Sequence, residues 1–229
     1  MIVCERLWGS RMRTLLAAAV AAVLLLSSAA RAADVAGIVR DANGAPIADA
    51  ILYAAPRNAP TPAAPAASAP LAIDQVNAQF PFVTPMRRGS TVVFRNADTF
   101  GHTVYSVSQA KTFTIPLSRD VVSAPVVFDT AGVVVVGCSI HDWMIAYVLV
   151  LDTPYYAVTN ATGTAVLQNL PADTHDVYVW HPGMTTPPQP LPITVAAGAI
   201  GNAEFRIDLK LDGLWKIDRN NPVGRFVTP

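Results

Sequence analysis

Between residues 34 and 209 the chain is a succession of short apolar runs, broken every few positions by Gly, Pro, Asn or Asp. Val35, Ile38 and Val39 lead into Asp41-Ala42-Asn43-Gly44, and residues 47–53 carry a second apolar run. That pattern predicts a strand, a turn and a strand. Residues 56–70 are rich in Ala and Pro and read as an extended linker. Residues 91–94, 104–107, 111–115, 126–128, 133–136 and 145–151 are short β-branched and aromatic segments with turn residues between them. Their spacing predicts a β-sandwich. After residue 153 come the turn Asn160-Ala161-Thr162-Gly163, an alternating stretch at 176–180, a break at His181-Pro182-Gly183, and two more strand-like segments at 193–195 and 203–207. The last twenty residues hold no strong period. With 19 prolines and 13 glycines, short strands and turns are expected rather than long helices.

The amino terminus has a different pattern. Arg6, Arg11 and Arg13 outweigh Glu5, residues 15–26 are an unbroken Leu/Ala/Val run, and Ala30-Arg31-Ala32 offers small residues at alternate positions. A basic start, a short apolar middle and an A-x-A end describe a secretory signal, with cleavage expected after Ala32. The competing reading is a membrane anchor, but the uncharged stretch lies at the bottom of the range for a span, about 17 residues. No later segment is long and apolar enough to span a bilayer, so none is expected after cleavage. Loss of this leader removes four basic groups and one acid, leaving a weakly acidic remainder.

Charged residues make up only 14% of the chain, hydrophobic ones 52%, and the formal net charge is zero. A nucleic-acid binder would need a basic surface, so no such partner is expected. The two cysteines are Cys4 and Cys138. Cys4 departs with the leader, which leaves one thiol with no disulfide partner in an oxidising compartment.

Cys138 lies in Gly137-Cys138-Ser139-Ile140-His141-Asp142-Trp143-Met144, between two predicted strands. A thiolate, an imidazole and a thioether are thus presented on one short loop. Zinc sites use Cys, His and carboxylates and rarely Met, whereas a His₂Cys copper site takes a long axial Met. The second imidazole is expected from His102, beside the edge of another strand. Taken singly, Cys138 and Met144 suit a core and His141 a surface. It is the joint spacing that points to a metal. A cysteine-protease reading is weak, because nothing in the pattern offers an oxyanion-hole helix. A two-copper centre is disfavoured, since the loop has no second cysteine. His175 and His181 are expected to be surface or loop residues.

The order His, then Cys-x-x-His-x-x-Met, resembles the cupredoxin family of small blue copper proteins, with the short ligand loop of the amicyanins. Phe94-Arg95-Asn96-Ala97-Asp98, leading to His102, is similar to the approach to the first histidine in that family. GCSIHDWM followed by VLDTP resembles a bacterial subgroup labelled methylamine-utilisation proteins. The resemblance covers roughly residues 75–152. It implies a Greek-key β-sandwich, one copper per chain on His102, Cys138, His141 and Met144, and one-electron transfer. It also implies that His141 lies at the exposed end of the site, so that Trp143 belongs either to a surface where a redox partner docks or to the core. Thr103 departs from the family, which often carries Asn after the first histidine to tie the two ligand loops together.

VAGIVRDANGAPIADAILYA resembles the opening of the carboxypeptidase regulatory-like β-sandwich. Residues 159–163, 170–173 and 177–180 resemble its continuation, although Asp173 and Ala165 depart from it. The expected organisation is all-β: signal peptide 1–32, first part of the regulatory-like sandwich 33–58, linker 59–74, cupredoxin domain 75–152, second part 153–209 and an irregular end 210–229. The expected function is a periplasmic electron carrier rather than a catalyst. The alternatives are copper storage, delivery or sensing without a redox partner, and a scaffold protein whose copper is vestigial.

Overall fold

A computed structural model of the chain describes residues 32–58, 60–62 and 69–210. The expected signal peptide, most of the Ala/Pro linker's middle and nearly all of the carboxy-terminal twenty residues lie outside these. Fifteen strands and no helix occur among the described residues. They are β1 (Ala33–Arg40), β2 (Ile51–Pro56), β3 (Leu71–Gln75), β4 (Val83–Arg87) and β5 (Ser90–Asn96). Next come β6 (His102–Ser108), β7 (Lys111–Leu117), β8 (Val126–Phe128), β9 (Gly132–Cys138) and β10 (Ile145–Leu151). The chain continues with β11 (Tyr155–Val158), β12 (Thr164–Leu170), β13 (Asp173–Trp180), β14 (Leu191–Val195) and β15 (Ile200–Arg206).

These strands form four sheets, ordered β12-β1-β15, β11-β2-β13-β14, β4-β10-β9-β6-β7 and β3-β5-β8. The alternation of buried and half-buried residues along β1 explains the first pairing. Val35 and Val39 point inward, and Gly37 lies between them because the Leu52 side chain fills the space over it; a Cβ there would stand 2.0 Å from Leu52 Cδ2. Two-residue periodicity of this kind fixes which face meets the core. The first two sheets close one sandwich around Val35, Leu52, Leu167, Val177 and their neighbours. The other two close a second around Ile73, Phe94, Val104, Phe128, Val136 and Val148. A third, smaller apolar layer joins the sandwiches: Ile51, Tyr53, Tyr156 and Trp180 meet Phe82, Val83, Tyr147, Leu149 and Leu151.

The chain visits the outer sandwich twice. β1 pairs with β12 and β15, and β2 pairs with β11 and β13, so every strand laddered onto the first two lies beyond residue 153. β3 to β10 pair only among themselves. The two visits are pinned where they meet. Thr159 Oγ1 donates to the Ile47 carbonyl at 2.8 Å and accepts from the Ala50 amide at 2.9 Å.

Several elements differ from the sequence pattern. The second strand starts at Ile51 rather than residue 47, because Asp49 takes a positive φ of 60° and turns the chain. β3 occupies residues 71–75, overlapping the end of the stretch assigned to the linker; its inward Ile73 and Gln75 and its parallel pairing with β5 make it part of the inserted sandwich. β4 had no counterpart in the pattern. His175 and His181, expected at the surface or in loops, are buried at 0% and 5% exposure, although His181 does follow β13 in a loop. His175 shares the inward face of β13 with Val177 and Val179, and its Nε2 faces the Pro171 carbonyl at 2.9 Å. His181 lies in the layer between the sandwiches, its ring 6.1 Å from that of Phe82.

Candidate metal centre

The pairing of β6 with β9 builds the centre. Val104 stands opposite Cys138 in that antiparallel ladder, so His102, two residues earlier on β6, reaches the end of β9 where Cys138 ends the strand. Ser139 then donates its amide to the Thr103 carbonyl at 3.0 Å. The main chain thereby ties the two loops together, although Thr103 lacks the side chain that often does so in the resembled family. The following loop is closed by its own bonds: Met144 N donates to His141 O at 3.0 Å, and Cys138 N to Met144 O at 3.2 Å. The tight turn brings the His141 ring back over Cys138.

The structure places Cys138 Sγ 3.5 Å from His102 Nδ1 and 3.7 Å from His141 Nδ1. One ligand atom from each of these three residues lies within 4.8 Å of the others. Metal–imidazole and metal–thiolate bonds of about 2.0–2.3 Å, opened by 110–120°, separate the ligand atoms by roughly 3.5–3.8 Å. The spacing found therefore fits one ion held between a thiolate and two imidazoles. Met144 is 1% exposed and belongs to the same apolar cluster as Cys138, Val104 and Val136. The structure thus brings His102, Cys138 and His141 together, and Met144 follows on the same loop with its main chain bonded to His141 and Cys138.

The centre is asymmetric toward water. His102 and Cys138 are each 4% exposed, while His141 is half-buried. Its ring is flanked by Phe100 at 5.4 Å, Trp143 at 5.1 Å and His102 at 5.1 Å between centroids. Burial, and secondarily the neighbouring His102, push the His141 pKa below the ordinary histidine value, while Asp98 opposes the shift. That environment favours the neutral imidazole, the form that can act as a ligand. Phe100 and Ile140, both exposed, surround this end with apolar surface.

The sequence reading missed Asp98 as a functional residue. Its Oδ2 faces His102 Nε2 at 2.9 Å, with both side chains nearly sealed from solvent. The signal was a carboxylate four residues before an expected ligand. Asn96 organises the same loop: its side-chain amide donates to the carbonyls of Phe100 at 2.7 Å and Ser118 at 3.2 Å, and its Oδ1 accepts from Asp98 N at 2.9 Å.

No family model and no curated protein matches the chain. Solved structures do. It is similar to a copper-containing nitrite reductase from Thermus scotoductus SA-01, with 24% identity, 42% of this chain and 25% of that one covered, and a TM-score of 0.35. The chain therefore spans about a quarter of that enzyme's length. It is similar to a purple cupredoxin from Nitrosopumilus maritimus, with 25% identity, 35% and 99% covered, and a TM-score of 0.32. A Cu(I) form of an amicyanin variant gives 19% identity, 43% and 99% covered, and a TM-score of 0.33.

Proposed function

We propose that the chain is an exported copper protein that carries single electrons, with one copper held by His102, Cys138, His141 and Met144. The observation that carries this reading is the position of the Cys138 thiol, within 3.5 and 3.7 Å of two imidazole nitrogens in a site sealed from water except at His141. A soft thiolate, two imidazoles and a thioether together suit copper better than zinc. When bound, copper supplies the ability to pass between two oxidation states. The protein residues do the rest. Cys138 would hold the copper through its thiolate and His102 and His141 through their imidazoles, and Met144 would offer a thioether. Because these side chains are already gathered, little rearrangement of the protein would be needed on a change of charge. His141, beside exposed Phe100 and Ile140, is the place where a redox partner approaches, with Trp143 at its edge.

Residues 1–32 support export to the periplasm through a secretory signal. The outer sandwich, whose opening strand and turn resemble the carboxypeptidase regulatory-like module, serves as a scaffold and adds no chemistry of its own. The test is a visible spectrum with metal analysis of protein exported in copper-replete medium. About one equivalent of copper and an intense thiolate-to-copper absorption are expected. Tight Cu(I) binding with no such absorption on oxidation would favour copper storage or delivery. Zinc, or two equivalents of copper, would overturn the assignment.

A further inference from the structure

The buried carboxylate that faces His102 is anchored by a turn of its own. Asp98 Oδ1 accepts the Asn77 amide at 2.5 Å and Oδ2 accepts the Ala78 amide at 2.9 Å. The second oxygen also faces His102 Nε2 at 2.9 Å. The turn that presents the two amides is tight and unusual. Val76 and Gln79 exchange main-chain hydrogen bonds of 3.1 Å in both directions, and the two residues between them take positive φ, 55° at Asn77 and 52° at Ala78. A two-residue turn of this hand favours Gly at its second position. Ala78 is strained there, and its amide together with that of Asn77 converges on one carboxylate. The turn also reaches the other loop: Trp143 Nε1 donates to the Ala78 carbonyl at 3.2 Å, and the Trp143 ring lies 5.1 Å from that of His141.

We infer that Asp98, clamped by turn 76–79, is a positioning residue that fixes His102 with Nδ1 toward Cys138 and biases the centre toward its oxidised state; the second half rests on the copper reading proposed above. A carboxylate only accepts hydrogen bonds, so the imidazole nitrogen facing it carries the proton and the opposite nitrogen is left as a lone-pair donor. Here that opposite nitrogen is Nδ1, the atom 3.5 Å from the Cys138 sulfur. A negative group buried beside a ligand also favours the more positive metal charge, because little solvent screens it. Through Ala78 the same turn steadies Trp143, so one structural element supports both imidazole-bearing loops.

Two measurements test this. The first is ¹⁵N NMR of the metal-free wild-type protein. His102 is expected as the Nε2–H tautomer, and an Nδ1–H tautomer would overturn the positioning role whatever metal the site takes. The second compares copper-loaded wild type with Asp98→Asn by visible spectrum and equilibrium redox titration. The variant is expected to keep its copper and absorption while its midpoint potential rises by about 59 mV or more, a tenfold shift for one electron. Retained absorption with an unchanged potential sinks the electrostatic half and leaves the copper assignment standing. Absence of the absorption in wild type sinks the copper assignment, while the NMR result still decides the geometry. Should Asp98→Asn fail to fold, Asp98→Ser, which also removes the charge, is titrated in its place, and an unchanged potential there overturns the electrostatic half.

Discussion

The Thr153 hydroxyl donates to the Ala54 carbonyl at 2.5 Å, joining two buried positions that lie 99 residues apart in sequence. The same oxygen accepts the Tyr155 amide at 3.2 Å. It therefore pins the point where the chain re-enters the outer sandwich against the strand by which it left. Thr153→Val keeps the shape and removes the hydroxyl, leaving a buried carbonyl without its donor. We expect a loss of about 1–3 kcal/mol in urea unfolding. The absorption of the copper-loaded protein should be unchanged, since the site lies at the end of a different sandwich.

Cys138→Ala should abolish the visible absorption, because no other thiol stands near His102 and His141 among the described residues. Met144→Leu should keep the absorption and shift the potential, since an axial thioether tunes the site and does not supply the coloured bond. Spectra of both variants, copper-loaded and oxidised, decide the matter. Colour in Cys138→Ala would remove the thiolate from the ligand set.

Gly163 closes the turn that begins at Asn160, with φ of 72°. A Cβ there would stand 2.5 Å from the Val39 carbonyl oxygen. Gly163→Ala combines left-handed strain with a collision against main chain, which cannot swing aside as a side chain can. We expect a destabilisation of about 1–3 kcal/mol by denaturant unfolding, with the absorption retained in the protein that remains folded.

Stability at high pH should follow Tyr53. Burial between the sandwiches, with the neighbouring Tyr178 adding to it, pushes its pKa up to about 12 from the ordinary 10.0. The rings of Tyr53 and Tyr178 stack at 5.0 Å. A group whose pKa is raised in the folded state contributes stability that is fully present below its unfolded value and is lost as pH rises through the folded one. Denaturant midpoints should therefore hold up to about pH 10 and fall between 10 and 12. Tyr53→Phe should flatten that part of the decline; an unchanged slope would assign it to other groups.

The loop that carries Cys138, His141 and Met144 was legible as a unit because its residues are local: they share one turn between two strands. His102 could be expected from residue type, but what brings it to Cys138 is the β6–β9 pairing, a register no local pattern encodes. Asp98 was hidden for the same reason, since its partners on turn 76–79 reach it through folding alone. β4 escaped notice because Pro85 interrupts its apolar run. As the edge strand of its sheet, β4 pairs only with β10, a position that tolerates proline. His175 was readable in principle: extending the alternation of Val177 and Val179 back by two residues places it on the inward face of β13. His181 was not, because the layer that buries it is made by residues from both sandwiches.

The order of synthesis meets this topology awkwardly. β1 and β2 leave the ribosome first, yet their partners are β11 to β13 and β15, which appear only after the whole insert has been made. All pairings of β3 to β10 are complete by residue 151. The insert is thus equipped to fold while the opening strands are still unpaired, and the outer sandwich can close only last. Closing late over a collapsed insert asks less of the chain than closing over a loose loop of the same length, because loop entropy grows with the length left free. The exposed interval also carries a hazard, since an unpaired β-edge is a template for pairing with other chains. A lesion that slows the insert therefore prolongs the time for which β1 and β2 stand uncovered, even though neither strand contributes a hydrogen bond to the insert's sheets.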